Sequence, residues 1–395
     1  MAPSSALHTL FSPAELSYLQ TSLALDPPIR PDGRAPTQFR PLTAETDILP
    51  ATNGSARICF ADGTEAIVGV KAEVEDSSSP AVAVDGEAAE RSGERATPEG
   101  DHANPTGQSD WVDLSIEIPG LRDDDALPVF VAAMLNEALV ASGSLPRRLY
   151  INRRFHWKLH IDILLLSPPL SYPLPLLSLT THLALLSTRL PRLKSEGEED
   201  PMFDDDWEAS VALYPRDGSR NDDSKQPNVT DRPPVTLLVM TVASNIIFDP
   251  SKEELAVADG ILALSVGKDR LAHHPSSNPR QRRLRLLATR TIDPPSRLTP
   301  AGVPNAAIPP AAAPPTPSSA GMGAGVPAGT GTGTSTTAVD DTTAQREKLR
   351  QEGKVWTPPR GGLKRALVAR IVTQVLRPGG VADEVLDGLE AVDVG

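Results

Sequence analysis

Cysteine is nearly absent from this chain, since Cys59 is the only one in 395 residues. A disulfide within the chain is therefore impossible, which fits a reducing compartment. Basic residues are also outnumbered: 38 lysines and arginines face 51 acidic residues, and the net charge is −13. A protein that coats nucleic acid without preference is ordinarily basic, so the composition argues against that function class but leaves room for a local basic patch.

Uninterrupted apolar runs of membrane-spanning length are missing as well. The most apolar stretch, residues 161–190, is broken by Pro168, Pro169, Pro173 and Pro175. A transmembrane helix needs about 20 consecutive apolar residues, and internal proline breaks such a helix. We therefore expect no membrane partner. The first residues lack a basic region followed by an apolar run, so we also expect no signal peptide.

Proline and glycine, in contrast, are abundant, with 40 and 28 residues concentrated in a few tracts. Such tracts bury too little apolar surface to fold. We predict a disordered insertion at 76–110, a disordered acidic insertion at 195–232 and a low-complexity linker at 271–361. Without them the chain has roughly 250 patterned residues, enough for about one compact domain.

The remaining segments carry clear turn and strand signals near the N-terminus. Pro31-Asp32-Gly33-Arg34 has the composition of a tight turn. The runs 56–60 and 66–74 alternate in polarity and are joined by Asp62-Gly63, which predicts a β-hairpin. Before them, Ser12, Pro13 and Glu15 predict a capped helix over 12–25.

The order and spacing of these pieces resemble the N-terminus of the RNase PH superfamily. There an Arg-x-Asp-Gly-Arg turn precedes a further arginine, a Gly-Ser-Ala strand, a Gly-x-Thr turn and a Val-x-Val-Lys strand. The matching residues are Arg30-Pro31-Asp32-Gly33-Arg34, Arg40, Gly54-Ser55-Ala56, Gly63-Thr64 (without the intervening residue) and Val68-Gly69-Val70-Lys71. With Thr46-Asp47-Ile48-Leu49-Pro50 before them, they look most like a non-phosphorolytic ring subunit of the eukaryotic RNA exosome.

This resemblance implies an α+β fold in which mixed sheets pack with helices in two βαβ-like halves. We assign an N-terminal helix to 1–28, a first half to 29–190, a second half to 233–270 and C-terminal helices to 362–390. The alternating strand 111–118 is expected to pair with the strand that ends at Val74. Residues 233–248 predict one or two buried strands and 260–266 another.

Two helices are predicted inside the first half. One covers 129–141, and its residues Phe130, Val131, Met134, Leu135, Ala138 and Leu139 are expected to face the core. The other carries leucines three and four residues apart, which predicts an amphipathic helix ended by Pro191. Those leucines are Leu176, Leu179, Leu183, Leu186 and Leu190.

An active RNase PH enzyme uses arginines to hold the attacking phosphate and a carboxylate to assist the reaction. The resemblance places these groups on the first predicted helix, on the turn before the second, and between Val235 and Asp249. Here the helix 129–141 has no basic residue, the turn reads Ser167-Pro168-Pro169, and no acid occurs between Val235 and Asp249. We therefore predict no catalytic residue, metal or cofactor in this chain.

Residues 147–166 predict a further pair of turns and strands, and basic residues in this stretch flank Tyr150, Phe155 and Trp157. They could contact RNA phosphates beside a stacking ring. They could equally form a solvated strand face or pair with an acidic neighbouring subunit. The candidates are Arg147, Arg148, Arg153, Arg154 and Lys158, together with Arg122 in the loop before the first of the two helices.

The favoured function is a non-catalytic subunit that helps to build the exosome ring and guides RNA during 3′-to-5′ processing and degradation. Expected partners are homologous ring subunits, cap subunits with RNA-binding domains, RNA and a separate catalytic nuclease. The resemblance implies a location in the nucleus, the nucleolus and the cytoplasm. Two alternatives stay open: an active phosphate-dependent 3′-to-5′ exoribonuclease, and a metabolic kinase, which would need a phosphate loop that the sequence lacks.

Overall fold

The fold is known from a computed structural model of the chain. It describes residues 11–77, 108–195, 197, 199–215, 232–268, 284–298, 356–359 and 362–392. Residues 78–107 of the first predicted insertion and residues 271–283, 299–355 and 360–361 of the predicted linker lie outside the described residues.

The chain begins with helix α1, Pro13–Ala24, which confirms the predicted capped helix. The Ser12 amide donates to Glu15 Oε2 at 2.7 Å, and the Glu15 amide donates to Ser12 Oγ at 3.3 Å. This reciprocal cap satisfies two backbone donors that a helix start otherwise leaves without partners. Leu16 and Leu23 are buried and attach the helix to the core.

The first sheet has five strands: β1 (Leu42–Thr46), β2 (Gly54–Phe60), β3 (Glu65–Asp76), β4 (Val112–Glu117) and β5 (Phe155–Leu165). Their order is β1-β2-β3-β5-β4. The β2–β3 hairpin confirms the prediction, with Ala66, Val68 and Val70 buried. The predicted pairing of strand 111–118 with the strand that ends at Val74 is wrong.

Strand β5 lies between β3 and β4 and runs parallel to β4 but antiparallel to β3. The parallel pair requires a crossover, which helices α2 (Ala126–Ala141) and α3 (Ser144–Arg148) provide. Helix α2 starts three residues before the predicted position, because Pro128 is compatible with a first helical turn. The prediction that Phe130 faces the core is wrong, since Phe130 is 41% exposed.

Helix α4, Leu174–Ser187, is buried along its whole length, so its predicted amphipathic character is wrong. It packs against β2 and β3 of the first sheet and against β8 of a second sheet. Thr180 and Thr181 satisfy their buried hydroxyls on the carbonyls of Leu176 and Leu177 at 2.8 and 2.7 Å. A helix enclosed between two sheets has no solvent face that needs charged residues.

The short strands β6 (Arg189–Leu190) and β7 (Val211–Ala212) follow α4 and pair with each other. Leu190 therefore belongs to a strand and not to the leucine-rich helix. The segment 199–215 carries β7 and the buried side chain of Tyr214, which corrects the prediction of a disordered insertion for this part of 195–232. Residues 216–231 lie outside the described residues.

The second sheet is antiparallel, with the order β11-β10-β8-β9. Its strands are β8 (Val235–Val242), β9 (Asn245–Phe248), β10 (Gly260–Lys268) and β11 (Leu284–Ile292). The buried strands predicted at 233–248 and 260–266 are confirmed. Strand β11 lies inside the predicted linker, so that prediction is wrong for 284–292. A short helix α5, Lys252–Leu255, connects β9 to β10.

Two helices, α6 (Arg365–Val375) and α7 (Val381–Glu390), close the chain as predicted. Ile371, Val375, Leu386 and Leu389 are buried, as is Trp356 before them. The architecture is α+β, with two sheets on opposite sides of α4. Within the described residues, no helix combines the length and apolar character that crossing a bilayer demands.

Candidate functional site

Two of the three segments on which phosphate chemistry is expected, helix α2 and the start of strand β8, meet beside α4. Leu135, Ala138 and Leu139 of α2 face Ser178, Thr181, Pro234 and Thr236 across a cavity of about 10 Å³. Such a space holds at most about one water molecule. Its lining has neither arginine nor carboxylate, so this junction has no group that could hold or activate a phosphate.

The turn before α4 contributes hydrogen bonds to the scaffold. Ser167 Oγ accepts from the Glu65 amide at 3.0 Å, which holds the turn to the start of β3. Ser171 Oγ accepts from Arg40 Nη1 at 2.8 Å. On α2 the acidic Glu137 pairs with Arg290 of β11 at 2.8 Å. The polar groups near these elements therefore connect parts of the fold.

The RNA-contact candidates divide by their surroundings. Arg122 lies in the loop after β4, is largely exposed, and pairs with Asp124 at 3.0 Å. Arg147 is exposed and donates from Nε to the Gly143 carbonyl at 2.8 Å. Arg148 is half-buried: Nη1 donates to the Leu213 carbonyl at 3.0 Å, and the guanidinium lies 4.7 Å from the ring centroid of Tyr214. Arg148 therefore holds the segment after β7.

Arg153, Arg154 and Lys158 belong to the turn before β5 and to its first residues. Arg153 and Arg154 are exposed. Arg154 forms an ion pair with Asp200 at 3.0 Å, and Lys158 forms one with Glu75 at 3.2 Å. The structure thus places these three candidates near one end of the first sheet, with acidic side chains beside two of them.

The aromatic residues expected to stack with bases are mostly occupied within the fold. Trp157 is 9% exposed and its ring centroid lies 4.9 Å from that of Phe203. Phe155 and Tyr150 are half-buried. The guanidinium carbon of Arg154 lies 5.1 Å from the centroid of the Phe155 ring. An open stacking platform is therefore missing from this surface as it stands in the described residues.

A buried cluster that the sequence interpretation missed is formed by the arginines of the N-terminal turn. Arg30 donates from Nε and Nη2 to the two carboxylate oxygens of Glu254 at 2.7 and 2.8 Å. Both side chains are 0% exposed. Arg30 also donates to the carbonyls of Phe248 and Asp249 at 3.2 and 3.0 Å. This two-pronged pairing is the geometry that a guanidinium prefers with a carboxylate.

Arg34 and Arg40 converge on a second buried carboxylate, Asp249. Arg34 Nη1 donates to Asp249 Oδ2 at 2.9 Å, and Arg40 Nη2 donates to Asp249 Oδ1 at 2.7 Å. Asp249 has a φ of +47°, in the left-handed region that aspartate tolerates better than most residues. The side chains of Arg34 and Arg40 and the backbone amide of Arg40 therefore hold Asp249 in this unusual turn between β9 and α5.

Arg40 and its neighbour Asp62 both have shifted pKa values. Burial lowers the pKa of Arg40, but hydrogen bonds and charge from Asp249 outweigh it, so the pKa lies above its usual value. Burial raises the pKa of Asp62, but hydrogen bonds from Thr64 and the charge of Arg40 outweigh it and hold the pKa below its usual value. Asp62 is therefore an ionised partner of Arg40, at 2.6 Å.

We call the set Arg30, Arg34, Arg40, Asp249 and Glu254 the arginine clamp. All three arginines have carboxylate partners inside the protein, so none presents its guanidinium to a ligand. The sequence held a signal for Glu254, because Ser251 and Glu254 form the Ser-x-x-Glu capping pattern of α5. Nothing in the sequence linked that capping glutamate to Arg30.

Metal binding has no support in the part of the chain that the structure describes. No group of three or more histidine, cysteine, aspartate or glutamate side chains is arranged to hold an ion there.

Comparison with known proteins connects this geometry to one family. The profile described as "3′ exoribonuclease family, domain 1" (RNase PH) matches residues 38–191. The exosome complex component RRP42 of Saccharomyces cerevisiae is 32% identical over 260 residues, which cover 64% of this chain and 80% of that protein. The exosome complex component rrp42 of Schizosaccharomyces pombe is 32% identical over 268 residues, covering 64% and 77%.

Among solved structures, an archaeal exosome core aligns with a TM-score of 0.45 and 19% identity, over 71% of this chain and 85% of that one.

Proposed function

Since this chain belongs to the RNase PH family, in the branch of exosome ring components, we propose that it helps to build the ring without catalysing phosphorolysis itself. In this role it supports 3′-to-5′ RNA processing and degradation by holding neighbouring subunits in place and guiding RNA. The nuclease activity is supplied by another chain.

The proposal rests on the lining of the junction where α2, α4 and β8 pack together, which contains no arginine and no carboxylate. Phosphorolysis needs cationic groups on the attacking phosphate and a carboxylate close to it. The lining of this junction is apolar or weakly polar, and its cavity of about 10 Å³ is smaller than a phosphate ion. The arginines of the family motif are bonded to Asp249 and Glu254, so they supply no cation to this junction.

The partners we propose are homologous RNase PH-like subunits on either side, cap subunits with RNA-binding domains, RNA and a separate catalytic nuclease. The yeast relatives are named as components of the exosome complex, which supports the ring neighbours. We propose that the protein acts in the nucleus, the nucleolus and the cytoplasm, where such RNA processing takes place.

The test compares three samples: this chain alone, one homologous ring neighbour alone, and the two together. Each is incubated with a short single-stranded RNA with and without inorganic phosphate, and released nucleoside diphosphates are measured. We expect no phosphate-dependent release from this chain alone. Any release by the pair is expected to follow the neighbour's own activity. Phosphate-dependent release by this chain alone would establish the alternative, an active exoribonuclease.

A further inference from the structure

Residues 199–206, which we call the acidic segment, fold back onto the surface that carries the RNA-contact candidates. Five of the eight residues are acidic and none is basic. The Lys194 amide donates to the Met202 carbonyl at 2.7 Å, and the Asp204 amide donates to the Arg192 carbonyl at 2.9 Å. These bonds form a short antiparallel bridge centred on Leu193 and Phe203. Two backbone hydrogen bonds therefore hold the segment against residues 192–194 in the free chain.

The acidic side chains of the segment lie against basic groups. Asp200 pairs with Arg154 at 3.0 Å, and Asp204 pairs with Lys194 at 3.1 Å. A hydrogen bond from Lys194 lowers the pKa of Asp204, so this carboxylate is ionised near neutral pH. The Asn152 side-chain amide donates to the Glu199 carbonyl at 2.9 Å. Two carboxylates thus sit where nucleic-acid phosphates would meet Arg154 and Lys194.

The same segment also covers the aromatic part of that surface. The Phe203 ring lies 4.9 Å from the Trp157 ring, centroid to centroid, with the ring planes tilted by 44°, an arrangement that aromatic pairs favour. Phe203 therefore covers Trp157 where an unstacked RNA base could otherwise lie.

We propose that the surface formed by Asn152, Arg154, Trp157 and Lys194 binds single-stranded RNA, and that the acidic segment occupies this surface in the free chain. The carboxylates of Asp200 and Asp204 take the positions of phosphates, and Phe203 takes that of a base. The inference rests on the proposed function in one respect only, since that function supplies RNA as the ligand.

The contacts of the segment are of a kind that RNA can displace. The Asp200 and Arg154 side chains are 76% and 56% exposed, and ion pairs between exposed groups contribute little to stability. A polyanion that engages several cations at once gains from counterion release, which a pair of carboxylates on the same chain does not. RNA binding is therefore expected to move the acidic segment away from Arg154 and Lys194.

The test measures the affinity of the full chain for a fluorescent single-stranded oligouridine over a range of salt concentrations. The variant D200N/D204N removes the two competing charges. The matched control E137Q/D293N also removes two acidic charges, from the exposed pairs Glu137–Arg290 and Asp293–Arg297 at 2.8 and 3.0 Å. Both variants therefore change the net charge equally.

We expect D200N/D204N to bind RNA about tenfold more tightly than the control at low salt, because two cations become free for phosphates. The slope of log affinity against log salt is expected to steepen by about 1.4, since each phosphate neutralised on a single strand contributes about 0.7. Adding R154A to D200N/D204N is expected to remove much of the gain.

Equal affinities of D200N/D204N and E137Q/D293N would overturn the proposal, and so would the absence of RNA binding by D200N/D204N. Neither result bears on the proposed function, which fails separately if the chain alone releases nucleoside diphosphates or does not assemble with a homologous neighbour.

Discussion

At the residue scale, the arginine clamp shows how a family motif can keep its residues while they serve the fold. Arg30, Arg34 and Arg40 are recognisable in the sequence, but their partners Asp249 and Glu254 lie more than 200 residues away. Residues so far apart in the sequence share no local pattern that would predict their pairing. The motif could therefore be recognised from the sequence, but its contacts with Asp249 and Glu254 could not. The same holds for Arg148, whose role depends on the position of Tyr214.

Replacing Glu254 by glutamine should destabilise the protein strongly. The change leaves the buried guanidinium of Arg30 without its charged partner, and breaking one side of a buried ion pair costs about 3–5 kcal/mol. The matched control is E253Q on the adjacent residue, which is exposed and whose substitution should cost less than about 0.5 kcal/mol. Urea unfolding followed by circular dichroism gives both values. Similar midpoints for the two variants would contradict a structural role for the Arg30–Glu254 pair.

At the scale of elements, the sequence predicted local structure well and pairing less well. The β2–β3 hairpin and α1 were predictable because adjacent residues determine turns and caps. The position of β4 beside β5 was not predictable from the sequence. The path of the crossover between two parallel strands determines which strands become neighbours, and the sequence of a strand alone does not. Strand β11 was missed because arginines at 285 and 290 interrupt its apolar pattern within a stretch of low-complexity sequence.

The burial of α4 was missed for a related reason. Leucines three and four residues apart indicate one apolar face, but the residues between them are mostly threonine, serine, alanine and further leucine. Small and apolar residues on the other faces are compatible with burial on all sides, and only the position of the second sheet decides the matter. The helix reaches β2 so closely that its end meets Gly54.

A side chain at Gly54 should therefore disrupt the contact between α4 and the first sheet. A Cβ at this position would lie 2.6 Å from the backbone nitrogen and Cα of Thr188, which cannot move without shifting the chain. We expect G54A to cost at least about 1–3 kcal/mol. The matched control is G388A in α7, where the added methyl meets nothing within 4 Å.

The control should stabilise the protein by about 0.5–1 kcal/mol, because alanine is the better helix former. Thermal unfolding of the two variants beside the wild type measures both effects. An unchanged or raised melting temperature for G54A would show that the packing of α4 against β2 is loose.

At the scale of the whole molecule, the surface keeps apolar side chains that a monomer would ordinarily bury. Val129 and Phe130 on α2 are exposed, as are Leu164, Leu166 and Leu170 at and after the end of β5. The edge strands β1, β4, β9 and β11 lie at the borders of the two sheets. Exposed apolar groups and sheet edges favour association with other chains.

We therefore expect the purified chain alone to aggregate or to be poorly soluble, and to become monodisperse when produced with one homologous ring neighbour. Size-exclusion chromatography with light scattering gives the mass of each species. A matched sample co-produced with an unrelated protein of similar size should still aggregate. A well-behaved monomer that binds no homologous neighbour would count against a ring subunit.

The arginine clamp has a further consequence for the synthesis of the protein. Arg30 emerges from the ribosome 224 residues before Glu254. At about 5–20 residues per second, translation takes roughly 10–45 s to supply the second partner. Through that interval the nascent N-terminal turn holds a guanidinium that cannot yet be neutralised by Glu254, so the completed core can close only late in translation.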